Sequence, residues 1–309
     1  MAIQEQVVYE NVMELHRRAA TVLPQDVRNR LKILENKEQD GLSKFVLSCI
    51  AENWAVAEQD SRPLCADTGL PRFYVKCGND LQLAGGFCAL EKALRQATQQ
   101  VTHDIPLRPN RVHPLSRLDF NNNVGAHAPS IAYTFEPEGD WIEITAVHRG
   151  GLFGSDYRML FPSDGIPGIK KFFLDCLGEF FQRGLSCPPV VVGIGLGGTK
   201  DDCFRIGQEA ACLRIVGDRN PDPQIAELEQ ELVELGNASG FAPMGFRGNS
   251  SVMDVHIEIA YAHTGGLPVS VHHFCFATRR ATVRIHNDNS IEFRENPLWF
   301  TPYYRREGI

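Results

Sequence analysis

Residues 188–202, PPVVVGIGLGGTKDD, constrain the fold more than any other stretch of this 309-residue chain. An unbroken apolar run, Val190 to Ile194, is the pattern of a strand covered on both faces, and such strands belong to layered α/β structures. Gly195, Gly197 and Gly198 follow, and then KDDCFRIGQEAACL with helical periodicity. The sequence therefore predicts a buried strand at 189–194, a glycine turn, and a helix over 200–214. Gly193, Gly195 and Gly198 also spell G-x-G-x-x-G, with LRIV resembling a second strand and Asp218 twenty residues past the last glycine. This is the outline of a dinucleotide-binding turn, in which backbone N–H groups and a helix N-terminus receive a pyrophosphate. Asp201 and Asp202 would compete with that pyrophosphate at the same helix end.

The rest of the chain reads as mixed α/β, of the α+β kind: N-terminal helices, then hairpins and mixed sheet. Helices are predicted over 5–20, 25–37, 41–61, 85–104, 165–183 and 222–236. The third stops at Asp60-Ser61-Arg62-Pro63, where proline cannot continue it. SIAYTFEPEGDWIEITAVH reads as a hairpin about Glu138-Gly139-Asp140, and MDVHIEIAYAH, LPVSVHHFCFA and ATVRIHNDNSIEF read as strands. Residues 105–130 form the longest stretch without periodicity, and loops of that length in compact domains tend to carry function. The aromatic tail PLWFTPYYRREGI is expected to pack on the body or on a partner. No linker is evident, so residues 1–309 read as one domain.

A net charge of −7 and the lack of a basic run exclude nucleic acid as an expected partner. No apolar run has the length of a membrane span, and the N-terminus lacks the apolar core of a signal peptide. A cytoplasmic location is expected. Nine cysteines, without a C-x-x-C pair, suit a reducing compartment better than a disulfide framework. Cys49, Cys176 and Cys212 sit in helical apolar patterns, as buried small hydrophobes do. Cys65, Cys187 and Cys275 instead fall where loops or strand ends meet Pro, Gly or polar residues.

Three lone thiolates on loops can converge on a 4Fe–4S cluster and leave one iron open to a substrate oxygen. A zinc site drawn from His256, His263, His272, His273 and Cys275 is the competing metal reading, although His272 and His273 alternate across a strand and cannot share one face.

Ordered motifs over nearly the whole chain make it resemble the α subunit of the two-subunit class I, iron–sulfur, fumarase and L-tartrate dehydratase family. The family's C-Q-D-T-G appears as Cys65-Ala66-Asp67-Thr68-Gly69. Its L-R-x-x-x-x-x-P-L and N-x-G-x-x-x-P appear as Leu107-Arg108 through Pro114-Leu115, then Asn123-Val124-Gly125 and Pro129. Its second cysteine, P-P and G-G-T appear as Cys187-Pro188-Pro189 and Gly197-Gly198-Thr199; its third falls at Cys275, after His263 and Pro268 and before Arg279.

The resemblance implies that Cys65, Cys187 and Cys275 ligate the cluster in a central cleft, and that Asp67, Arg108 and Gly151 face a small dicarboxylate. It implies that Asp67 and His263 are catalytic, and that the reaction adds or removes water, as between fumarate and malate or from tartrate. It also implies a separate β chain that carries the catalytic base, in an α2β2 assembly or around a homodimer of α. Two positions depart from the family. Ala66 stands for its glutamine, and Arg149-Gly150-Gly151-Leu152-Phe153-Gly154-Ser155-Asp156 stands for K-G-G-G-S-x-N. These changes leave tartrate, or another substituted hydroxy-dicarboxylate, as open as fumarate.

Overall fold

The computed structural model describes residues 1–150 and 154–300. In chain order its elements are α1 (Glu5–Thr21), α2 (Gln25–Lys37), α3 (Gly41–Gln59), β1 (Leu70–Gly78), α4 (Gly86–Asp104), β2 (Ser130–Glu136), β3 (Trp141–Arg149), β4 (Ser155–Leu160), α5 (Gly165–Gln182), β5 (Val190–Gly197), α6 (Lys200–Leu213), α7 (Pro223–Ala238), β6 (Val252–Ala260), β7 (Leu267–Phe274), β8 (Arg280–His286) and β9 (Ile291–Arg294). The fold is mixed α/β, with N-terminal helices and two mixed sheets. Two compact units share the chain: Met1–Pro24, Trp54–Gly151 and Arg279–Ile309 form the first, and Gln25–Asn53 with Leu152–Thr278 the second.

The first unit is built on a five-stranded sheet in the order β2-β1-β3-β8-β9, parallel between β1 and β2 and antiparallel elsewhere. Val8, Val12 and Leu15 recur at helical spacing along α1, as do Leu90, Ala93, Leu94 and Ala97 along α4. Both stripes bury against Phe73, Val75, Ile142, Ile144, Val283 and Ile285 of the sheet. The predicted hairpin at 130–148 is corrected here. Its two strands exist, but β1 lies between them and pairs with both. Their alternation is a property of each strand alone, and the partner arrives from sixty residues upstream in sequence order, where no local signal records it. The described part of the aromatic tail packs inward, with Trp299 edge-on to Tyr74 at 5.2 Å and the Leu298 carbonyl accepting from Lys76 Nζ at 2.5 Å.

The second unit carries a four-stranded sheet in the order β4-β7-β5-β6. β5 and β6 are parallel, joined through α6 and α7, and β7 is antiparallel to β5. The apolar run of β5 is covered on both faces, as its composition requires. Val190, Val192 and Ile194 join the core made by Phe172, Phe173 and Leu177 of α5 and Leu228, Leu232 and Val233 of α7. The alternate positions face α6: a Cβ on Gly193 would lie 2.2 Å from the Gly207 carbonyl oxygen, and one on Gly195 2.0 Å from that of Cys203. The glycines are therefore there to let helix and strand touch backbone to backbone.

Candidate active site

In the first unit the segment Cys65–Gly69 leaves α3 as an irregular loop, with Cys65 exposed and Thr68 buried. Asp67 Oδ1 accepts from the Gly69 N–H at 3.0 Å, an Asx turn, and from Asn110 Nδ2 at 2.8 Å. Asn110 Nδ2 also donates to the Gly69 carbonyl at 3.0 Å. Gly69 turns with φ +83°, and a Cβ there would meet the His148 carbonyl oxygen at 2.6 Å, so only glycine completes this turn against β3. Arg279, 2 % exposed, donates from Nη1 to the Asp67 carbonyl. Three residues, Gly69, Asn110 and Arg279, thus fix the backbone and carboxylate of Asp67.

The long non-periodic loop is ordered by the same logic. The Arg108 N–H donates to Thr68 Oγ1 at 2.8 Å. Asn123, 1 % exposed, accepts from the Asn110 N–H at 2.9 Å and donates through Nδ2 to the Arg108 carbonyl at 3.1 Å and to Thr102 at 3.2 Å. The Arg108 side chain itself stays exposed. Its backbone is pinned and its guanidinium is presented, the arrangement of a group that grips an anion. Asn110 had no signal in the sequence beyond lying in that loop, and Asn123 and Arg279 entered it only as motif letters.

Behind this loop His16 Nδ1 and His148 Nε2 lie 2.8 Å apart, both rings fully buried. Thr98 Oγ1 donates to the Leu94 carbonyl, so it accepts from His16 Nε2–H; the shared proton then sits on His148 Nε2. Burial pushes His16 down to about 3 and holds His148 well below the ordinary histidine range, aided by the charge of Arg279.

In the second unit β5 and β7 pair with Val191 opposite Phe274. Cys187 and Cys275 therefore leave the same end of the same sheet, one before β5 and one after β7, both outside regular structure. Ser186 Oγ and His273 Nδ1 share a hydrogen bond of 2.9 Å beside them. His263 lies elsewhere. It is exposed in the turn between β6 and β7, accepting from the Gly265 N–H at 3.1 Å, at the opposite end of that sheet. A strand of the length of β7 separates the two ends by on the order of 20 Å. Gly151 lies outside the described residues.

None of Cys65, Cys187 and Cys275 is in a disulfide. Cys77 and Cys203 are pushed up by burial to about 12 and about 11, and Cys176 higher still, so these stay protonated. Soft thiolates on loop ends are the donor set that iron–sulfur clusters take, and the three candidates fit it. No group of three or more His, Cys, Asp or Glu among the described residues is itself gathered for a metal ion. The zinc reading loses its histidines: His272 bonds Ser155 at 3.0 Å and stacks edge-on with Phe204 of α6, whereas His273 turns to Ser186 and Phe180 of α5. The dinucleotide reading loses its site. The glycine faces are filled by α6, Asp202 accepts from Thr199 N and Oγ1 at the N-terminus of that helix, and residues 214–217 form no strand.

The family model described as fumarate hydratase (fumerase) matches residues 9–284. The chain belongs to the fumarate hydratase family. It is with that a hydro-lyase by family. It is 43 % identical over 282 residues to a Methanocaldococcus jannaschii protein provisionally named L(+)-tartrate dehydratase subunit alpha, covering 90 % of this chain and 97 % of that one. The L(+)-tartrate dehydratase subunit alpha of Escherichia coli strain K12 is 35 % identical over 275 residues, 88 % of this chain and 89 % of the relative. That of strain UTI89 is 36 % identical over the same shares. No helix among the described residues is long and apolar enough to cross a membrane.

Proposed function

We propose that this chain is the cluster-bearing subunit of an iron–sulfur hydro-lyase that removes water from L(+)-tartrate or a closely related hydroxy-dicarboxylate, together with a separate β chain. The observation that carries the reading is the exit of Cys187 and Cys275 from one end of one sheet, in a family member whose Cys65 precedes the pinned Asp67. Cys65, Cys187 and Cys275 would hold a 4Fe–4S cluster. When bound, it supplies a Lewis-acidic iron that polarises the departing hydroxyl.

The remaining work falls to protein side chains. Arg108 takes a substrate carboxylate through its planar fork, offsetting charge that accumulates on the adjacent carbon. Asp67, held by Asn110 and the Gly69 N–H, moves a proton at its free oxygen. His263 is too far from Cys187 and Cys275 within one chain, so on this reading it exchanges protons at the centre of a second copy, in a homodimer or α2β2 assembly. The β chain supplies the base that takes the carbon-bound proton.

The test is anaerobic co-expression with a β chain, assayed against both tartrate enantiomers, fumarate and malate. Oxaloacetate formed from L(+)-tartrate at the highest kcat/KM is the expected result. Turnover of none of the four by a complex with full iron content refutes the reading.

A further inference from the structure

Residues 113–120 leave the Arg108 segment of the first unit and are all exposed, with Leu115, Leu118 and Phe120 at 87 %, 67 % and 75 % exposure. The stretch is a short hairpin with its own hydrogen bonds. Val112 bridges Asp119 in the antiparallel sense, the His113 N–H donates to the Leu118 carbonyl at 2.7 Å, and the Arg117 N–H donates to the His113 carbonyl at 3.0 Å. Inside the turn His113 Nδ1 accepts from the Leu115 and Ser116 N–H groups at 3.3 Å and 3.1 Å. Asp119 Oδ1 accepts from the Asn121 N–H at 3.0 Å on the other side. The hairpin is therefore ordered by its own backbone, and its three large apolar side chains are left to water. Hydrocarbon held in water is unfavourable until another surface covers it, and an ordered turn loses little freedom when that happens.

Both ends of the hairpin are clamped at one place. Asn123 accepts from the Asn110 N–H at 2.9 Å and donates to the Arg108 carbonyl at 3.1 Å, and Asn110 Nδ2 donates to Asp67 at 2.8 Å. The hairpin thus stands on the same clamp that presents Arg108 and fixes Asp67. The five residues from Asn110 to Leu115 span at most about 18 Å, so a domain-sized body seated on the tip also reaches a ligand on Arg108. On the reading above, the base that takes the carbon-bound proton belongs to the β chain, which must come to the substrate at Arg108. A second copy of this chain seated on the tip would occupy that approach. We propose that residues 112–121 are the docking hairpin for the β chain, with Leu115, Leu118 and Phe120 seated in an apolar depression of it beside the substrate. The proposal rests on the two-chain hydro-lyase reading and names the part of this chain that recruits the second one.

The experiment is calorimetric titration of the full chain with purified β chain, anaerobically, for wild type and for the double variant Leu118→Asp/Phe120→Asp. The double variant is expected to keep its circular dichroism and melting and to lose about a hundredfold or more in affinity. Phe45→Asp, on the exposed face of α3, is the control and should bind as wild type does. Trypsin cleavage after the exposed Arg117 needs no variant, and mass spectrometry should find it several times slower in the complex than in the free chain. Unchanged affinity in the double variant, or equal cleavage after Arg117 with and without β chain, would overturn the docking surface. So would self-association of the free chain that the double variant abolishes, since the hairpin would then belong to an interface between copies. The two readings fail separately. A complex that depends on the hairpin but dehydrates nothing sinks the hydro-lyase reading alone, and an active complex that the double variant forms at wild-type affinity sinks the docking surface alone.

Discussion

Ser186 and His273 share a 2.9 Å hydrogen bond that ties the segment entering Cys187 to the strand that ends just before Cys275. Removing it should loosen both cysteine-bearing segments while the sheet remains. Ser186→Ala is expected to cost about 1–3 kcal/mol of stability, the price of one unmet buried partner. The anaerobically loaded protein should then lose iron in air several times faster than wild type. Iron content followed over time, beside urea unfolding, separates the two effects.

Gly193→Ala places a methyl group 2.2 Å from backbone atoms of Gly207 and Ala211 in α6. Helix and strand must separate, at more than about 3 kcal/mol, beyond ordinary overpacking. The variant should be insoluble or melt far below wild type, and NAD should protect neither protein. Nucleotide-dependent stabilisation of the wild type would contradict the packing account of these glycines.

Asp67→Asn keeps an oxygen that can accept from Gly69 N–H and Asn110 Nδ2. Its unfolding free energy should stay within about 0.5 kcal/mol of wild type. Turnover of the co-expressed complex should fall by about a hundredfold or more, because an amide cannot move the proton. Gly69→Ala should do the reverse in kind, lowering the melting temperature through its φ of +83° and the clash with His148.

His16 and His148 are neutral in the fold, with His16 pushed down to about 3 and His148 lowered by burial. The unfolded chain binds protons on both below the ordinary value of 6.5, whereas the fold does not. Stability is therefore present above 6.5 and falls as pH drops from 6.5 towards 3, by up to about 1.4 kcal/mol per pH unit for each ring. Urea midpoints at about pH 7.5 and about pH 5 should differ less in His16→Gln than in wild type. An equal difference in both would contradict the assignment.

Local signals were legible in the sequence and pairing was not. The double-faced run at Val190–Ile194 and the proline after α3 each fix structure from neighbours, and each stands as expected. The intervention of β1 between β2 and β3 is a non-local pairing that no periodicity encodes. Cys65, Cys187 and Cys275 stood out because each falls where a loop or strand end meets Pro, Gly or polar residues, and of the three only Cys275 is buried. Asn110 and His148 did not, because their importance lies in what distant residues bring to them.

The central claim is that Cys65, Cys187 and Cys275 hold an iron–sulfur cluster. Anaerobic reconstitution followed by iron and sulfide determination tests it most directly, on wild type, on Cys65→Ser, Cys187→Ser and Cys275→Ser, and on Cys77→Ser as control. The account predicts about four irons and four sulfides per chain in wild type and control, and loss of the intact cluster in each of the other three. A colourless wild-type protein, or full cluster content in any of those three variants, would contradict it.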